Sequence, residues 1–314
     1  MFGGYVKIPE SGGKWILSHR EKKLISSGNF CVLEKVHGAN FCFVYDTEKE
    51  KFVYGKRKEI IACDDEFFGY KQMLPETEPK IERIVRIIEK KYKCSKINIY
   101  GELFGNGVQT GVYYSDGIHF YAFDVSIFTD SEQYLDYDFC LEVFESVDIL
   151  HAKPLFVGTY EEAINFELGF ETVIPSLLKR GMAPSVNNKA EGIVVKPLKE
   201  ITVNNGRDRA IVKIKIPEFS ESKYDKSMKH VKKDKFDYYE YFLTCEIDNL
   251  LTVNRLNNVK SKIGMGSLIV QRQMLVEDIE SEFVNNDLWG ELSEIERKNI
   301  LKETVNRVEK FIVG

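Results

Sequence analysis

The hydrophobic period of this chain changes once, and the place where it changes limits what the chain can fold into. Up to about residue 222, apolar residues come in short runs or alternate with polar ones, the period-two signature of strands. The clearest case is "RAIVKIKIPEF", where Val212, Ile214 and Ile216 fall on one face of a strand and Lys213 and Lys215 on the other. Further strand candidates are 30–33, 41–45, 97–104, 118–128 and 191–196. Among them "KIERIVRIIEKKY" (80–92) reads as a helix, with Ile81, Ile84, Val85 and Ile88 on one face. From about residue 236 the period turns helical, in "DYYEYFLTCEIDNLLTVNRL", "SLIVQRQMLVEDIESEF" and "ELSEIERKNILKETVNRVEKFIV". The spacing therefore predicts a mixed α and β body followed by a small helical domain.

The charge is divided at the same place. The net charge of −5 lies entirely in the residues from Phe236 onward, 14 acidic against 9 basic, which leaves the body at 35 of each. At the junction, "KYDKSMKHVKKDK" (223–235) carries six lysines and two aspartates. Such a strip is a solvated linker or a phosphate-binding surface. With 314 residues, 43% of them hydrophobic, the chain can bury a sizeable core. No apolar run is long enough to cross a membrane. The opening "MFGGYVKIPESGGKW" lacks the basic-then-apolar pattern of a signal peptide. Six cysteines are scattered without a CxxC pair, several inside apolar runs, and are expected to be reduced core residues of an intracellular protein. Five histidines with no HExxH or Cys/His cluster argue against structural zinc. A P-loop and a GxGxxG turn opening a helix are both missing, so any nucleotide must be held by strands.

Five stretches carry candidate chemistry. In "LEKVHGANF" (33–41), Lys35 lies where one strand gives way to a turn and a second strand follows. By itself it reads most simply as a solvated lysine. "IYGELFGNG" ends a strand at Glu102 among glycines that let backbone approach a ligand closely. "HFYAFDVSIF" holds Phe123 and Asp124 in an aromatic strand, and "AEGIVVKP" brackets Ile-Val-Val between Glu191 and Lys196. The lysine face of 210–216 completes the set.

In this order the five resemble the covalent nucleotidyltransferases, a superfamily of RNA ligases, DNA ligases and mRNA capping enzymes. The variant is similar to the RNA ligase 2 family, of the bacteriophage T4 and trypanosome RNA-editing type, because His37-Gly38 stands where DNA ligases and capping enzymes usually carry aspartate-glycine. "EFFGY" (66–70), "EFSESK" (218–223) and "TVNRLNNVKSKIG" (252–264) extend the resemblance nearly end to end, although the tail is shortened between "KIG" and "VED". The resemblance implies an α+β fold: a nucleotidyltransferase domain of mainly antiparallel sheets with flanking helices at 1–228, and an all-α domain for RNA engagement at 229–314. It implies an ATP-dependent RNA ligase that uses Mg2+ (or Mn2+) and joins RNA 3′-hydroxyl and 5′-phosphate ends, at nicks in duplex or bridged RNA; the sequence gives no firm sign of oligomeric state, with a monomer favoured.

The resemblance also assigns roles. Lys35 would be the nucleophile, and Glu34 would read the adenine edge. Phe123 and Val194 would sandwich the ring, and Glu102 would hold the ribose hydroxyls. Glu191 would hold ribose or metal, and Lys213 and Lys215 would grip phosphate oxygens. His37 would serve the first step, Asn40 and Arg57 the later ones. Tyr5, Arg255 and Asp278 would engage RNA, and Asp124 and Lys196 are further pocket candidates. A lysine of ordinary pKa, about 10.4, is neutral in only about one molecule in 2,500 at pH 7. Neighbouring cations, here Lys196, Lys213, Lys215 and a magnesium ion, are expected to favour the neutral amine. A DNA-sealing ligase and a non-catalytic RNA-binding scaffold fit the same motifs. The intact lysines and carboxylates disfavour the scaffold.

Overall fold

The computed structural model describes residues 2–178, 188–219, 238–264 and 266–313. The chain divides into two compact units, Met1–Glu218 and Phe219–Gly314. The boundary expected at 228/229 and the lysine strip of 223–235 lie outside the described residues.

The first unit is built on two antiparallel sheets, as the resemblance implies. Its strands are β1 (Phe30–Glu34), β2 (Ala39–Asp46), β3 (Lys51–Lys56), β4 (Lys96–Phe104), β5 (His119–Phe128), β6 (Glu132–Tyr134), β7 (Pro154–Gly158), β8 (Gly192–Pro197), β9 (Thr202–Val203), β10 (Asp208–Arg209) and β11 (Val212–Lys215). The larger sheet runs β3-β2-β4-β5-β6 and the smaller β11-β8-β1-β7, while β9 and β10 form a separate ribbon. Helices α1 (His19–Ser27), α2 (Leu74–Lys91), α3 (Tyr137–Ser146), α4 (Tyr160–Ile164) and α5 (Ile174–Leu177) flank them. Ser18 and Glu21 close a capping box on α1. The amphipathic pattern read at 80–92 lies within α2 and buries the four apolar residues named for it.

Register explains which residues face inward. In the smaller sheet Val32 pairs with Val195, and Val195 with Val212. These residues, with Phe30 and Ile193, form a core closed by Ile25 of α1 and Ala163 of α4. Side chains alternate along a strand, so the opposite face carries Cys31, Leu33, Val194, Lys196, Lys213 and Lys215. In the larger sheet Phe41 and Phe43 pack edge-on against Phe120. Their strand neighbours Asn40 and Cys42, with Tyr100 and Glu102 opposite them in β4, face the other way.

The second unit is helical: α6 (Tyr238–Tyr241), α7 (Ile247–Leu250), α8 (Val253–Ile263), α9 (Leu268–Val284) and α10 (Glu294–Val313). Phe242, Val259, Leu275, Ile279, Phe283, Ile300 and Val308 form its core. The stretch read as one continuous helix from 237 is divided. It passes through a π-helical turn at Phe242–Glu246 and stops at Leu251, where the Thr252 side chain accepts from the Arg255 N–H (3.1 Å) and caps α8. Helical spacing marked the apolar face but not the threonine that restarts the helix. Among the cysteines, Cys31, Cys42 and Cys140 are buried as expected, whereas Cys63 is exposed and Cys94 half-buried.

Candidate active site

The turn after β1 begins beside the start of β8. The Lys35 N–H donates to Gly192 O (2.9 Å), extending the β1–β8 ladder by one residue and setting Lys35 next to Glu191. There Lys35 Nζ lies 2.6 Å from Glu191 Oε2, and His37 Nδ1 lies 3.2 Å from the same oxygen. Strand β11 supplies a second lysine: Lys215 pairs in register with Gly192, and its Nζ is 3.3 Å from Glu191 Oε1. Gly192 permits this crowding. Its φ is +154°, and a Cβ there would sit 2.0 Å from Ile214 O. Burial alone would push the Glu191 carboxyl up, but the Lys35 ammonium, the His37 ring and Lys215 outweigh it and hold it well below the usual carboxylate range. Glu191 is 1% exposed, while Lys35 keeps 19% and stays reachable from solvent.

Across the site, Asn40 and Glu102 pair in register on the larger sheet. Burial pushes the Glu102 carboxyl up to about 7, against the opposing charges of Lys35 and Arg57 and with Glu191 adding to the rise. Gly38 lets the turn lie against β4, since a Cβ would meet Leu103 O at 2.3 Å and Glu102 Cγ at 2.8 Å. Arg57 follows β3, and its carbonyl accepts from the Tyr5 N–H (3.0 Å). A bulge in the β4–β5 ladder, between Tyr100 and Gly101, leaves Phe123 without a direct partner. Val194 pairs with Lys213 and shares its face. Phe123 and Val194 are both half-buried.

The structure gathers Lys35, His37, Glu191 and Lys215 directly, and the charges of Glu102 and Arg57 act at the same place. Other sequence candidates stand elsewhere. Lys196 does not join Lys35 in a cationic field: its Nζ lies 3.0 Å from Asp124 Oδ1 and 3.9 Å from the Tyr137 ring centre. Asp124 is fully buried and also binds Arg209 (2.7 Å) and the Tyr5 hydroxyl (2.8 Å), so this pair is an internal ion network joining β8 to β5. Burial would push the Asp124 carboxyl up, but Arg209 and Lys196 hold it below its ordinary value. Tyr5 is buried among Tyr100, Phe123 and Tyr134. Glu34 turns to the other side of β1, where Thr172 Oγ1 and the Val173 N–H (2.8 Å) donate to its carboxylate. Burial pushes that carboxyl up to about 7. In the helical unit, Arg255 is 2% exposed and lies 2.6 Å from Asp278, which also binds Lys262 (2.8 Å). Arg255 and Asp278 are the pair expected to engage RNA; in the structure they bind each other, and Arg255 is buried where it bridges α8 to α9. Sequence reasoning missed Arg209, which heads the alternating stretch read at 210–216 without belonging to either of its faces, and Thr172 and Tyr114, which belong to no motif.

A divalent cation fits this donor set only in part. Asn40 Oδ1 is a buried oxygen that makes no hydrogen bond, Glu191 Oε1 meets Lys215 Nζ at 3.3 Å, and hard oxygen donors suit magnesium or manganese. Among the described residues no group of three or more His, Cys, Asp or Glu gathers as a cage. Such an ion must draw its remaining ligands from phosphate and water.

A lysine held at a buried carboxylate between antiparallel sheets, with a lysine-faced strand alongside, is the arrangement expected from the resemblance to the nucleotidyltransferases. The model of the RNA ligase family matches residues 28–215, and the chain belongs to that family. It is 29% identical to mitochondrial RNA-editing ligase 2 of Trypanosoma brucei brucei, over 90% of this chain and 78% of that protein. Mitochondrial RNA-editing ligase 1 of the same organism is 26% identical over the whole chain and 77% of that protein. A solved Naegleria gruberi RNA ligase with pyrophosphate has a TM-score of 0.45 at 15% identity, covering 70% of this chain. The chain spans 59% of that solved chain's length. No described helix is long and apolar enough to cross a membrane.

Proposed function

We propose that this RNA ligase is ATP-dependent and seals 3′-hydroxyl/5′-phosphate breaks in duplex or bridged RNA, acting as a monomer. The observation that carries the reading is the convergence of Lys35, His37 and Lys215 on Glu191, all within 3.3 Å. In the first step Lys35 Nζ gives up a proton to water, to which it is open, and attacks the α-phosphorus of ATP: an N–P bond forms, the bond to the oxygen bridging to the β-phosphate breaks and pyrophosphate leaves. AMP then passes to the RNA 5′-phosphate, which returns the electron pair to Lys35. Finally the RNA 3′-hydroxyl attacks that phosphate and AMP departs. Each step depends on positioning and on stabilising charge at phosphorus.

The residues take roles that this geometry supports. Glu191 holds Lys35 aimed and ion-paired; its depressed carboxyl makes it a poor proton acceptor, so it orients the amine rather than serving as the base. Lys213 and Lys215 present one strand face to phosphate oxygens, and His37 lies beside the leaving pyrophosphate. Phe123 and Val194 offer an aromatic and an aliphatic face to adenine. Glu102 holds the ribose hydroxyls, and Asn40 and Arg57 serve the RNA ends; Glu34, held by Thr172 and Val173 on the other side of β1, is not placed to read the adenine edge. Magnesium, when bound, supplies positive charge to the transferring phosphates. Glu191 and Asn40 would hold it. The helical unit engages RNA, and the Arg255–Asp278 pair shapes that unit. Incubation with labelled ATP and magnesium should yield a covalent AMP adduct on a denaturing gel, abolished by EDTA. Nicked duplexes should seal with RNA at the 3′ side and poorly with DNA there. Absence of the adduct would leave a scaffold, and equal sealing of both would leave a general polynucleotide ligase.

A further inference from the structure

The turn that carries Lys35 is fixed at its start by the bond to Gly192 and at its end by the opening of β2. Between them the backbone N–H of His37 donates to the Tyr114 hydroxyl at 2.8 Å, inside the protein. Tyr114 is buried on the loop between β4 and β5, its ring edge-on to Phe104. That loop is locked by a second contact. The Asn188 side chain accepts from the Tyr113 N–H (2.9 Å) and donates to Tyr113 O (2.5 Å), reading both groups of one residue's backbone. Asn188 lies three residues before Glu191, and its own carbonyl accepts from the Thr172 N–H (2.9 Å), beside the hydroxyl that binds Glu34. The two partners of the Lys35–Glu191 pair are thus each tied to the same loop, one through His37 and Tyr114, the other through Asn188.

We propose that Tyr114 and Asn188 are positioning residues that set the distance between the Lys35 turn and Glu191, and so hold Lys35 in line for attack on the α-phosphate. This rests on the reading of Lys35 as nucleophile. The tyrosine hydroxyl acts on the turn's backbone, so losing it misplaces the amine without removing any group that touches nucleotide or RNA. A misplacement on the order of 1 Å is enough to lower a rate about a hundredfold. The clamp serves the step in which Lys35 attacks; sealing of RNA that already carries AMP on its 5′-phosphate does not use that attack.

The test compares Tyr114→Phe and Asn188→Asp with the wild type in the full chain. The phenylalanine keeps the ring packing and loses only the acceptor; the aspartate keeps the acceptor for Tyr113 N–H and loses the donor. Single-turnover adenylylation of Lys35 should fall about tenfold to a hundredfold in Tyr114→Phe and by less in Asn188→Asp, with the ATP concentration for half-maximal rate changed by less than about threefold. Sealing of pre-adenylylated nicked RNA should stay within about threefold of wild type. Unchanged adenylylation in both variants overturns the clamp, and equal losses in adenylylation and sealing replace it with a general role in folding. If Tyr114→Phe does not fold, Asn188→Asp alone decides between these outcomes. Wild-type protein that takes no AMP on Lys35 overturns the functional reading first, and the clamp with it.

Discussion

At the scale of single residues, Lys35 and Glu191 divide the work unequally. Lys35→Ala should abolish the covalent AMP adduct, read on a denaturing gel. Glu191→Gln keeps the shape and removes the charge that aims the amine; adenylylation should drop by roughly two to four orders of magnitude while the protein stays folded. Glu34 gives a prediction about stability. Its carboxyl titrates near 7 in the folded protein because it is buried, against an ordinary value of 4.5. The folded state therefore holds this proton more tightly, and stability falls as pH rises from about 4.5 to about 7. The full effect is on the order of 3 kcal/mol. Glu34→Gln should flatten the decline of melting temperature between pH 5 and 7; an unchanged slope would refute the assignment. The grouping of Lys35 with Glu191 and Lys215 was legible from motif order. Its surroundings were not: the cationic field expected around Lys35 is anchored by a carboxylate, and Lys196 is held by Asp124, because side-chain pairing depends on which strands become neighbours.

At the scale of elements, β11 was fully readable and α8 was not. The Val/Ile and Lys alternation fixed both faces of β11, since a slip of one residue would drive two lysines into the apolar core. On α8 the motif marked Arg255 and Asp278 for RNA but not for each other, because Asp278 comes from α9, 23 residues later, a pairing that no local pattern announces. Removing one partner of a buried pair leaves a charge stranded. Arg255→Ala should destabilise the helical unit by about 3–5 kcal/mol, measured by denaturant unfolding. A double variant Arg255→Met with Asp278→Leu should recover much of that loss. If Arg255→Ala instead kept full stability and lost only sealing, direct RNA contact would be its role.

For the whole molecule, the break in hydrophobic period near 222–236 announced two units, and the structure divides the chain between Glu218 and Phe219. What composition could not reveal is that both sheets of the first unit contribute to one site: β1, β8 and β11 from one, β2 and β4 from the other. Sheet membership is long-range information, and β1 finds β8 across more than 150 residues. Because the nucleotide groups all lie before Glu218, a chain ended at residue 228 should retain adenylylation within about tenfold and lose most sealing, if the helical unit engages RNA. Retained sealing by that shortened chain would count against the tail as the RNA-holding part.

The seat of two lysines and a histidine around Glu191 has a bearing on the enzyme at rest. A cluster of lysines with no anion would push itself apart between turnovers, and each cycle would begin by reassembling it. The carboxylate serves as a resident counterion, so the idle enzyme waits with its charges already collected. An arriving triphosphate then competes with that carboxylate for cations already in place.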